Sequence, residues 1–130
     1  MFIRYASGSA TIEYAVSELD RYLRMIDPSL DIVPVPSGSA IRSDGITLGL
    51  CRDLGIECAE AADPLIDDLA DINIENMTGY IAGSNERSVL LGVYKFLTSM
   101  GCSWAHAAPD GEFIPCRSLE GYSYKYRKMA

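Results

Sequence analysis

The stretch that decides the fold is GYIAGSNERSVLLGVYKFLTSMGCSW, residues 79–104. Tyr80, Ile81 and Ala82 are β-formers, Gly83-Ser84-Asn85 reads as the turn that leaves them, and residues 86–100 carry a helical pattern. Ser84 or Asn85 can cap the free N–H groups of that helix, Glu86 suits the positive end of its dipole, and Gly101 supplies the left-handed residue that commonly closes one. Val89, Leu90, Val93, Tyr94, Phe96, Leu97 and Met100 recur at three- and four-residue spacing, with Glu86, Arg87, Lys95 and Thr98 largely opposite. This is the central packing helix. Gly92 within it costs roughly 1 kcal/mol against Ala, which predicts a close neighbour at that point of the backbone.

Outward from this unit, the chain reads as a series of short elements. Residues 2–6 form a first strand, and Ser7-Gly8-Ser9 leads into a helix over 10–26, with Ser9 as cap and Ile12, Ala15, Val16, Leu19, Tyr22, Leu23 and Ile26 as its apolar face. Residues 32–36 are β-rich, but Pro34 and Pro36 lack ladder donors, which places them at an edge. Ile46-Thr47-Leu48-Gly49-Leu50 is apolar or small on both faces and reads as an interior strand. Residues 51–67, acidic and interrupted by Gly55 and Pro64, read as a long loop with one helical turn, either mobile or a site. Residues 70–75 and 80–82 make a hairpin through Asn76-Met77-Thr78-Gly79. Beyond the central helix come an extended exit, a Pro109-Asp110-Gly111 turn, a short strand over 112–114, and a tail in which Tyr122, Tyr124 and Tyr126 alternate with polar residues. The expectation is one α+β domain: a mixed sheet of about four or five strands with two main helices packed on it, in the order β-α-β-β-β-β-α-β.

Composition narrows the function. A chain of 130 residues suits a single domain with a real core. A net charge of −7 and a pI near 4.5 leave no basic face for nucleic acid or an anionic membrane. No apolar run approaches the ~20 residues of a membrane span, and residues 1–10 lack the features of an export signal, so the expected compartment is the cytoplasm. The four cysteines, at 51, 58, 102 and 116, do not have zinc spacing, and the only histidine, His106, completes no familiar ligand set. Reduced, partly buried thiols are the expected state, with no metal and no cofactor.

The segment 79–104, followed by Pro109-Asp110-Gly111-Glu112-Phe113-Ile114-Pro115, resembles the end of the non-catalytic N-terminal α/β domain that precedes the barrel in bacterial α-glucuronidases and β-N-acetylhexosaminidases. The shared pattern is a strand, a Gly-Ser-Asn-x-Arg turn, a Leu-x-Gly-Val-Tyr-x-Phe-Leu helix, a Gly-Cys-x-Trp exit and a Pro-Asp-Gly-Glu-x-x-Pro loop. It is specific over 68–115 and departs at Ala105-His106-Ala107-Ala108, where similar sequences often place an Arg before the Pro. The resemblance implies a β-N-acetylhexosaminidase-like domain over 1–117, with 118–130 as the linker or start of a following (β/α)8 barrel that holds the catalytic carboxylates. That barrel is the implied partner, with self-association of the isolated chain as a corollary.

The residues themselves identify no catalytic group. Asp67-Asp68 is the densest acidic cluster and reads as a solvated loop, while Asp110 reads as the organiser of its turn. Gly83, Ser84 and Asn85 are explained by capping, and Arg87, a cation opposed to the helix dipole, by a salt bridge or a bond to a loop carbonyl. Two rival readings stand beside the accessory domain. One is a free-standing carbohydrate-binding module using Trp104 and the tyrosines, and the other a small enzyme using His106 and Asp110. Under the first reading, Trp104, His106, Pro109, Tyr122, Tyr124 and Tyr126 form the face that meets the barrel; the alternative is that the aromatics cover the domain's own sheet.

Overall fold

A computed structural model describes residues 1–36, 41–42, 44–104 and 111–129. Its elements are β1 (Phe2–Tyr5), α1 (Ala10–Ile26), β2 (Val33–Val35), β3 (Gly45–Leu50), α2 (Cys51–Leu54), β4 (Leu69–Glu75), β5 (Thr78–Gly83), α3 (Glu86–Ser99) and β6 (Tyr124–Met129). The strands form one mixed six-stranded sheet in the order β2-β1-β3-β5-β4-β6. β2, β1, β3 and β5 run parallel, and β4 runs against both β5 and β6.

Register explains how a chain of this composition makes a core. Tyr5, Leu48, Ile81, Ile72 and Tyr126 lie in one row across five strands, so alternation puts Ile3, Ile46 and Ile74 on that same face. Both α1 and α3 pack there, side by side, and Ile3, Leu19, Leu23, Leu48, Ile81, Val93, Phe96 and Leu97 are wholly buried between the layers. The close neighbour expected at Gly92 is Ile81: a Cβ on Gly92 would stand 2.8 Å from Ile81 Cγ2. The opposite face carries the row Arg4, Thr47, Tyr80, Asn73 and Lys125.

The α+β architecture agrees with the sequence reading, and so do the edge position of the proline-bearing β2 and the burial of every residue of β3. The hairpin turns on Asn76 and Met77, both at positive φ (53° and 59°), the backbone that a two-residue turn between right-twisted strands requires. The sheet has six strands rather than four or five, and the final strand is not at 112–114. Phe113 exchanges only an isolated bridge with Ser103. The segment expected as a linker instead supplies β6. Leu119 is fully buried, its N–H donates to Asp27 Oδ2 (2.8 Å), and Met77 N–H donates to the Tyr122 carbonyl (2.8 Å). The alternation at 122–127 is thus this sheet's own edge, with Tyr124 and Tyr126 facing α3 and Lys125 and Arg127 facing away.

The cysteine expectation needs a second correction. After the single helical turn of α2, Gly55 (φ 73°) reverses the chain, and Cys58 returns to form a disulfide with Cys51 at a Cα separation of 6.5 Å. Cys102 and Cys116 are free, the first buried and the second exposed. Burial pushes the Cys102 thiol above its ordinary value, in keeping with a small apolar core residue. Among the described residues no helix is long and apolar enough to cross a membrane.

Candidate functional site

Three polar or aromatic clusters bear on function. The first is at the start of α3. Asn85, not Ser84, is the cap: its Oδ1 accepts from Ser88 N–H (2.9 Å). Ser84 Oγ instead donates to the Asp67 carbonyl (2.6 Å) and accepts from Leu69 N–H (2.9 Å), tying the end of β5 to the start of β4. Asp68 Oδ1 gathers Asn85 Nδ2 (2.6 Å), Arg87 Nη2 (3.1 Å) and Ser88 Oγ (3.3 Å), and Arg87 also donates to the Leu65 carbonyl (2.9 Å). Both roles expected of Arg87 are therefore filled at once. The acidic pair at 67–68 is part of a fastening: Asp67 contributes its carbonyl and Asp68 its carboxylate.

That fastening is sensitive to acid. The amide of Asn85, and then the charge of Arg87, hold the Asp68 carboxyl below its ordinary value. A depressed folded-state pKa gives stability that is complete above the unfolded value of about 3.9 and is lost as pH falls through the lower folded value. Urea midpoints at about pH 6 and about pH 3 should accordingly differ less for Asp68→Asn than for the wild type, and an equal fall in both would refute the assignment.

The second cluster is centred on Arg127, which the sequence reading did not single out. It donates through Nε and Nη2 to both oxygens of Glu60 (3.0 and 2.8 Å), through Nη1 to Asp71 (2.6 Å) and through Nη2 to the Glu57 carbonyl (2.6 Å). A guanidinium held in this forked geometry pins the 51–67 loop to the open face of the sheet. Together with the disulfide, it makes the loop's role structural.

The third cluster lies on the outer side of the helical layer. Trp104 meets Tyr22 and Tyr94 edge to face, with ring centroids 5.4 and 5.3 Å apart. Its Nε1–H donates to Tyr22 Oη (3.3 Å), as does Arg21 Nη2 (2.7 Å), while the Tyr22 hydroxyl donates to Glu112 Oε2 (3.0 Å). The Arg21 guanidinium also stacks 4.3 Å from the centre of the Tyr22 ring. Burial raises the hydroxyl pKa of Tyr22 and of Tyr94, so both stay protonated donors through neutral pH. Around this group opens a cleft of about 500 Å³ lined by Tyr14, Glu18, Arg21, Tyr22, Tyr94 and Trp104.

The aromatics named together from the sequence therefore divide. Trp104 belongs to the cleft between α1 and α3, whereas Tyr122 and Tyr124 pack on Phe96 (5.9 and 6.4 Å) and Tyr126 stacks on Tyr124 (6.3 Å) beneath Lys95. His106, Pro109 and Asp110 lie outside the described residues. The cleft's polar members were missed, although one signal was present: Glu18 sits three residues after Ala15 and four before Tyr22, on the edge of an apolar stripe where a carboxylate is unusual. No family model, no curated protein and no solved structure matches the chain.

Proposed function

We propose that the chain is a non-catalytic accessory domain of a carbohydrate-active glycoside hydrolase, packed beside a (β/α)8 barrel that carries the catalytic carboxylates. The observation that supports this reading best is the use made of the residues that carry the resemblance. Gly83, Ser84, Asn85 and Arg87 all hold the β5–α3 junction and its neighbouring loop together, which is the part a scaffold plays.

The cytoplasm expected from the sequence stands against the Cys51–Cys58 disulfide, which favours an oxidising environment. A panel of aryl glycosides tests the non-catalytic role directly. The purified chain should release no phenol above background with any of them. Turnover lost on substitution of Asp110 or His106 would replace this proposal with the small-enzyme reading.

A further inference from the structure

The cleft beside Trp104 has properties that a purely structural cluster does not need. Glu18 is only 6% exposed, yet Arg21 engages just one of its oxygens, Oε2 at 3.1 Å. No described residue donates to the other oxygen, and no buried side-chain oxygen or nitrogen lacks a partner. Oε1 is therefore not fully buried, and Glu18 brings an acceptor to the lining of the cleft. Beside it stand the half-exposed ring of Tyr14 and the partly exposed Trp104, so an apolar wall and an acceptor converge on one space. The cleft is wide open to solvent, and its roughly 500 Å³ leaves room for a ring laid against this wall.

Charge selects among possible ligands. A quaternary ammonium suits aromatic walls, but the Arg21 guanidinium already occupies the face of Tyr22 and neutralises Glu18. A carboxylate-bearing ligand would meet Glu112, whose Oε2 lies against the Tyr22 hydroxyl. A neutral ring with an apolar face and peripheral hydroxyls meets neither obstacle: its C–H face lies on the aromatic wall, one hydroxyl donates to Glu18 Oε1, and others accept from Arg21 or a tyrosine hydroxyl. We propose that this cleft is a binding subsite for a neutral pyranose, a proposal that rests on the carbohydrate-related reading above and adds to it a site on the accessory domain itself.

Trp104 is the only tryptophan in the chain, so its emission reports on the cleft without labelling. The experiment titrates the chain with maltotriose, cellotriose, xylotriose and triacetylchitotriose, with glucuronate and tetramethylammonium as charged comparators. The expected result is a saturable change with at least one trisaccharide, weaker by at least roughly fivefold in Glu18→Gln and in Tyr14→Ala, and absent with both comparators. Tyr14 is exposed on α1 and alanine favours helix, so the second variant keeps the fold if the first does not, as unchanged urea midpoints will show. No saturable response to any trisaccharide, a response unaltered in both variants, or stronger binding of a charged comparator would overturn the proposal. Failure here leaves the aryl glycoside result untouched, and turnover there leaves saturable binding untouched, so the two readings fail separately.

Discussion

Truncating Phe96 to Ala lowers the stability of this domain by roughly 3–5 kcal/mol, a large share of the total that a chain of this size possesses. Phe96 is wholly buried in the C-terminal half of α3, facing the sheet, and its ring meets Tyr122 at 5.9 Å and Tyr124 at 6.4 Å. Its loss leaves a cavity and also removes the surface on which the tail and the edge strand rest. Amide protection should therefore fall first along β6, whose only strand partner among the described residues is β4. Leu91, nearly half exposed on the same helix, gives the control: Leu91→Ala moves the urea midpoint little. Equal effects at the two positions would mean that α3 is not oriented as described.

Gly83→Ala is the second large effect, and its cause is steric. A Cβ at Gly83 would lie 2.6 Å from the Val89 nitrogen and 2.7 and 2.8 Å from Ser88 Cβ and carbonyl carbon. Backbone of α3 cannot move aside without breaking the cap at Asn85, so the strand end and the helix start must part. The expected cost is about 1–3 kcal/mol or more, against a small change for Gly49→Ala, where the nearest atoms belong to the Leu54 side chain at 3.4 Å. Measured by urea denaturation, similar midpoints for the two variants would contradict the close approach of strand and helix.

The parts of this molecule legible in the sequence are those fixed by neighbours along the chain. The cap at Asn85, the stripe on α3, the apolar run of β3 and the turn at 76–77 each depend on residues within a few positions, and each lies where the pattern put it. Most of what went astray depends on partners far away; the exception is the Cys51–Cys58 disulfide, whose partners are 7 residues apart. The alternation of Tyr122, Tyr124 and Tyr126 was visible, but that it completes this sheet is decided by β4, some fifty residues earlier. The Cys51–Cys58 disulfide follows from the reversal at Gly55, and the Arg127 clamp joins residues 67 positions apart. In the cleft, Tyr22 and Glu112 are 90 apart, and no periodicity brings them together.

On the function proposed above, this domain serves a catalytic barrel and performs no chemistry itself. The reading frame downstream of Ala130 in the encoding gene tests it most directly. Translation is expected to continue from β6 into a (β/α)8 barrel bearing paired carboxylates at the ends of its strands. A stop codon immediately after Ala130, in a gene whose isolated product cleaves glycosides, would contradict it.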